Sequence, residues 1–167
     1  RFTCYHRRSY VCKTGVGDVL IGAAASIADY NGVPNVSHIK DKLVEMTHLN
    51  ESIYGTGIAS SYQSQKMKSG VWQNDEMLAN VCKHNVTRFP YQIGRFAQDI
   101  AGGLMVTLPS EAEFRSPETG PLLKKYLKGR KGVDVENKMR VLRLIENMTM
   151  GRNAVGYLTE SMHGAGS

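Results

Sequence analysis

Two long stretches of helical periodicity, separated by the breaker "NGVPN", restrict this chain to a helical architecture. In the first, from Tyr5 to about Tyr30, Val16, Leu20, Ala23, Ile27 and Tyr30 recur at spacings of three and four, which puts them on one helix face. The run "IGAAAS" adds small side chains that let another helix approach closely. Gly32 supplies a C-terminal turn and Pro34 prevents continuation. The second stretch runs from about Val36 to Gln65, with Ser37 as its expected cap and Ile39, Leu43, Met46, Ile53 and Gly57 as its apolar stripe.

The remainder continues in the same style. "KMKSGVWQND" reads as a loop, and Asp75 starts the helix "EMLANVCKHN". Pro90 separates that element from a further helical segment, "YQIGRFAQDIAGG". "LMVTLPSEAEFRSPETG" holds a short β-prone run and then a connector rich in proline and serine. A short helix from Pro121 to about Lys128 follows, with proline in its first turn where the missing N–H costs nothing. The last strong helix, about Val135 to Met150, carries Met139, Leu142, Ile145 and Met148 on one face. The expected fold is an all-α bundle of long antiparallel helices, and 167 residues suit one core.

Charge and cysteine content narrow the partners. The net charge of +6 is spread among 15 acids rather than massed in a stripe, which argues against a nucleic acid partner. The one local concentration, "LLKKYLKGRKG", is read as a solvated helix end, with a phosphate-rich ligand as the alternative. No apolar run reaches the roughly 18 residues that a bilayer span needs, so no membrane partner is expected. Three cysteines, Cys4, Cys12 and Cys82, form no disulfide framework and fit a reducing, cytoplasmic setting.

Two short segments carry reactive side chains. In "YHRRSYVCKTG", His6 and Tyr10 stand at i and i+4 and share a helix face. Cys12 follows His6 by six residues, which in a straight helix turns it about 120° away unless a bulge or break intervenes. Lys13 beside Cys12 favours the thiolate, the form that binds metals. One His and one Cys complete no closed metal site, so a helix-end histidine and an inert cysteine remain the other reading. At the far end, "GYLTESMHGAGS" sets Glu160 and His163 at i and i+3, able to share a hydrogen bond, before a glycine-rich turn that lets backbone approach a ligand.

Taken together, "YHRRSYVCKTGVGDVLIGAAA", "IKDKLVEMTHLNESIYGTGIA", "LANVCKHNVTRFPYQIGRFAQDIAGGLMVTLPSE", "GPLLKKYLKG", "ENKMRVLRLIENMT" and "AVGYLTESMHGAGS" resemble the 4-hydroxybutyryl-CoA dehydratase family. The resemblance implies an acyl-CoA dehydrogenase-like C-terminal helical bundle spanning 1–167, a piece of a longer chain. It implies a homotetrameric enzyme with FAD and a 4Fe-4S cluster that dehydrates 4-hydroxybutyryl-CoA to crotonyl-CoA and isomerises vinylacetyl-CoA. The C3 proton to be lost is not acidic. The family is held to remove the C2 proton, oxidise the substrate by one electron through the flavin, and lose the C3 proton from the resulting radical.

The same resemblance assigns roles. His6 matches the cluster's histidine ligand, also a proposed base, and Cys12 matches a cysteine ligand; the remaining cluster cysteines lie upstream in the family's chain. Tyr10 matches a tyrosine near the substrate, Lys13 a lysine next to the ligand cysteine, and Glu160 a glutamate of proton transfer. Gly164, Ala165 and Gly166 match the start of a segment near the flavin. In the family pattern His and Cys are seven residues apart, whereas here they are six apart. A flavin monooxygenase of the 4-hydroxyphenylacetate 3-hydroxylase type, related in fold and lacking the cluster, is therefore a competing expectation. A non-catalytic helical module that assembles through "GAAAS" is another.

Overall fold

The computed structural model describes residues 10–151 together with 154, 157 and 158. Helix α1, Lys13–Tyr30, is the axis of the bundle, in contact with three other long helices. Its buried face is made of Gly17, Leu20, Ala23, Ala24, Ile27 and Ala28, small or aliphatic residues at helical spacing, which lets neighbours close on more than one side. The helix ends in a Schellman motif: Val33 N–H donates to Ala28 O and Gly32 N–H to Asp29 O, with Gly32 at φ 76°.

Helix α2, Ser37–Tyr62, returns along α1 and buries Ile39, Met46, Leu49, Asn50, Ile53 and Gly57. Strands β1, Gln65–Lys66, and β2, Trp72–Gln73, then pair antiparallel. Helix α3, Glu76–Val86, starts where Asp75 accepts a hydrogen bond from Leu78 N–H at 2.7 Å, and it lies against α2. Helix α4, Phe89–Ala101, takes Pro90 in its first turn and packs on α1 and α2 through Ile93, Ala97 and Ile100. A 3-10 segment, Gly103–Thr107, leads to α5, Glu111–Arg115, and α6, Gly120–Tyr126. Helix α7, Val135–Thr149, is capped by Asp134 and seals the bundle against α1 and α4 with Met139, Leu142 and Ile145. The all-α fold is the expected one, and the principal core joins Leu20, Ala24, Ile27, Met46, Ile93, Ala97, Leu142 and Ile145. Among the described residues no helix is long and apolar enough to cross a membrane.

Several local expectations are corrected. The α-helix begins at Lys13 rather than near Tyr5, and Tyr10–Cys12 is a 3-10 turn. Residues 5–9 lie outside the described ones. Val36, with extended backbone, is the cap of α2, and Ser37 is its first helical residue. The helix stops at Tyr62 because Gln65 is taken into a hairpin, closed by Gly70 at φ 81°, where a plain loop was expected. The β-prone "LMVT" forms a 3-10 turn because no strand lies beside it and Met105 is drawn into the core. The small residues of "GAAAS" divide between two sides of the helix: Ala23 and Ala24 are buried in this chain's own core, whereas Gly22 and Ala25 are exposed. In "LLKKYLKGRKG", Lys124 lies over the Phe114 ring, Lys125 over Tyr126, and Arg130 pairs with Asp29 at 2.8 Å. These cations serve intramolecular contacts at helix ends.

Two glycines on α1 predict opposite responses to alanine. A Cβ at Gly22 would meet nothing within 4 Å, so Gly22→Ala gains roughly 0.5–1 kcal/mol of helix stability. A Cβ at Gly17 would strike the Asn50 side chain, so Gly17→Ala loses roughly 1–3 kcal/mol. Thermal midpoints of the two full-length variants check this, and shifts of the same sign would contradict the packing described.

Candidate functional site

The described part of the site is the turn that carries Tyr10, Val11 and Cys12 into α1. Cys12 is exposed, and Lys13, the next residue, is buried, so the two neighbours face different surroundings. The cause is the α1 face: Lys13 is four residues before Gly17 and seven before Leu20, in phase with the buried stripe, whereas Cys12 is out of phase. The turn is tight because Tyr10–Cys12 winds as a 3-10 helix, which advances about 120° per residue instead of about 100°. Between Tyr10 and Cys12 the chain therefore departs from a straight α-helix, a break of the kind the sequence leaves open. Each 3-10 step turns Cys12 about 20° further than an α-helical step would.

Three contacts hold this turn. Val11 inserts toward Ile53, Cys82, Val86 and Phe89, and the space for it exists because residue 57 is glycine: a Cβ there would lie 2.7 Å from Val11 Cγ2. Thr14 Oγ1 donates to Val11 O at 2.8 Å. Asn50, 2% exposed, spends both amide hydrogens on the same region, donating from Nδ2 to Thr14 O at 3.0 Å and to Asp18 Oδ1 at 2.8 Å. Its Oδ1 has no hydrogen-bond partner among the described residues and lies where a Gly17 Cβ would strike it.

The other end of the described chain meets the same region. Tyr157 is buried in the principal core, and burial, followed by the Asp18 carboxylate, holds its phenol above its ordinary range. Leu158 packs near Gly94 on α4. Asp18 therefore touches Asn50 and acts on Tyr157, three residues before Glu160 in the chain.

Of the residues expected from the sequence, Cys12 and Lys13 are described and Tyr10 opens the 3-10 turn. His6, Glu160, His163, Gly164, Ala165 and Gly166 lie outside the described residues. Among the described residues no three His, Cys, Asp or Glu side chains cluster as a metal site. Of the two described cysteines, Cys12 is open to solvent, while Cys82 is fully buried with Sγ 3.9 Å from Ile53 O. Asn50 was missed in the sequence. Its signal was a polar residue in phase with Met46, Ile53 and Gly57, inside the apolar stripe of α2.

A cavity of about 400 Å³ opens beside α5 and α7, floored by Phe114, Met139 and Leu144. Its arginines are already engaged, Arg115 and Arg140 with Glu136, and Arg143 with Glu146 and the carbonyls of Leu108 and Pro109. Neither Cys12 nor Lys13, of the described site residues, lines it.

Because the folded-state pKa of Tyr157 lies above the unfolded value of 10.0, its contribution to stability is complete below that pH. It is lost as pH rises toward the folded value. Tyr157→Phe removes this proton, so the alkaline fall in urea midpoint moves to higher pH in the variant. Coincident curves above the unfolded value would contradict the burial of the phenol.

Comparisons with known proteins place the chain. The family model of the 4-hydroxyphenylacetate 3-hydroxylase C terminal matches residues 1–167. The 4-hydroxybutyryl-CoA dehydratase/vinylacetyl-CoA-Delta-isomerase of Clostridium aminobutyricum is 57% identical over 176 aligned positions, covering 100% of this chain and 36% of that protein. The solved structure of an oxygen-tolerant archaeal 4-hydroxybutyryl-CoA dehydratase from N. maritimus is 84% identical with a TM-score of 0.96, covering 100% of this chain and 33% of the other. The oxygenase component of 4-hydroxyphenylacetate 3-monooxygenase, solved with FAD and 4-hydroxyphenylacetate, is 23% identical with a TM-score of 0.84, over 95% of this chain and 33% of that one. That last likeness is one of fold. The chain spans about a third of the length of these relatives.

Proposed function

The chain belongs to the 4-hydroxyphenylacetate 3-hydroxylase C-terminal family, and from that premise we propose that it is the helical part of an enzyme dehydrating 4-hydroxybutyryl-CoA to crotonyl-CoA and isomerising vinylacetyl-CoA. The observation that carries this reading is the identity to two dehydratases along its whole length, well above its identity to the FAD-complexed oxygenase. The proposed whole is a cytoplasmic homotetramer that takes an acyl-CoA substrate, FAD and a 4Fe-4S cluster.

The chemistry explains why both ends of the chain matter. In a 4-hydroxyacyl thioester the C2 proton is acidified by the adjacent carbonyl, whereas the C3 proton is not, so two proton transfers of unequal difficulty are needed. Bound FAD would supply one-electron oxidation of the substrate, and the cluster a Lewis-acidic centre. Cys12, exposed on its tight turn, fits one ligand position, with His6 as its partner on the same segment and the remaining cysteines outside this chain. In this reading His6 also takes a substrate proton, Tyr10 lies near the substrate, Lys13 acts from its place next to the ligand cysteine, and Glu160 moves the second proton. Gly164, Ala165 and Gly166 let backbone come close to the flavin, since none of them carries a side chain beyond a methyl.

Removing a positioned acid or base lowers turnover by roughly 10²–10⁴-fold. In the full-length protein, Glu160→Gln is expected to lose that much dehydration activity while keeping its flavin and iron, and His6→Ala to abolish turnover in a folded tetramer. Normal turnover in His6→Ala would defeat its assigned role. Loss of both cofactors in Glu160→Gln would make that residue structural instead.

A further inference from the structure

Among the described residues, the contacts that fix the Cys12 turn come from side chains to which no role in the reaction has been assigned. Cys12 itself makes no contribution to the core; it is carried. Its neighbours do the holding. Val11 is locked into the gap above Gly57, its carbonyl accepts from Thr14 Oγ1, and the Thr14 carbonyl accepts from the buried amide of Asn50. Asn50 is pinned in turn by its second hydrogen bond, to Asp18 Oδ1, and by the absence of a side chain at Gly17.

Such an arrangement is over-determined for packing alone. A buried amide whose oxygen is unpartnered among the described residues is costly, and a leucine in phase with Ile53 would have served an ordinary α1–α2 contact. What a leucine would not do is bridge α2 to the main-chain carbonyl of Thr14, two residues after the thiol. The bond acts on backbone, so it sets where residue 12 sits rather than how its side chain rotates.

We propose that Asn50 and Thr14 are positioning residues for Cys12: the Asn50 amide on Thr14 O and the Thr14 hydroxyl on Val11 O hold the thiol-bearing turn at the place its ligand role requires. This rests on the reading of Cys12 as a cluster ligand. The two contacts form a short relay from α2 to the 3-10 turn, and residues of this kind around a metal centre are worth roughly 10–100-fold in metal affinity.

The test uses full-length protein purified without oxygen, with iron loss to a chelator, flavin content and thermal midpoint as readouts. Asn50→Ala and Thr14→Val are expected to lose iron at least roughly tenfold faster than the unsubstituted protein, with flavin content unchanged. Thr14→Val keeps the shape of the side chain, so it stays informative if Asn50→Ala folds poorly. Ile145→Val, a core change on α7 that lowers the midpoint without touching this relay, is expected to lose iron at the ordinary rate. Ordinary iron retention in both relay variants, or an equal acceleration in Ile145→Val, would overturn the proposal. Cys12→Ala separates the two levels of the argument. If it keeps full iron, Cys12 is not a ligand and the premise itself fails, whereas iron loss in Cys12→Ala with none in the relay variants overturns the positioning role alone.

Discussion

The crossing of α1 over α2 at Gly17 and Asn50 is the contact on which the rest of the arrangement depends. A buried amide must find partners or cost the fold free energy. Asn50 finds two on α1, and the close approach that permits them exists because residue 17 has no Cβ. Gly57, two turns further along α2, repeats the device for Val11. Between them these two positions set the depth and register of the first turn of α1 against α2, and therefore the direction in which Cys12 leaves the bundle. The apolar faces of α4 and α7 then close on the remaining sides of α1.

The same region joins the two chemically loaded ends of the chain. Asp18 receives Asn50 on one side and acts on the buried Tyr157 on the other. An exposed thiol at the head of α1 and a segment leading to Glu160 are thus anchored to neighbouring points of one core. A reaction that moves two protons from adjacent carbons needs its groups held in a common frame, and rigid helices supply a better frame than loops. The cavity beside α5 and α7 offers a contrast, since its arginines are paired with glutamates and carbonyls of the same chain.

Much of the bundle was legible because apolar spacing and breakers act locally. Gly32 and Pro34 end α1, Asp75 caps α3, and Pro90 starts α4 as the pattern required. The errors fall where a tertiary partner decides. "LMVT" has strand propensity but, among the described residues, no strand beside it, and of "GAAAS" only Ala23 and Ala24 are taken into the core. The winding of the Cys12 turn is not legible in the sequence, because a three-residue 3-10 stretch leaves no mark there. Its holding contacts were hidden for a different reason: Asn50 is 36 residues from Thr14 in the chain, and only the fold reveals that a polar residue inside an apolar stripe faces a carbonyl. The reactive residues themselves became readable through family resemblance, not through spacing.

On the reading proposed above, this bundle presents Cys12 to a cluster shared with the rest of a flavoenzyme. The most direct measurement is iron, acid-labile sulfide and FAD per subunit in the full-length protein purified without oxygen. About four irons, four sulfides and one FAD per chain are predicted. FAD without iron would contradict the claim and leave a cluster-free flavin enzyme, and the absence of both would remove the enzymatic reading.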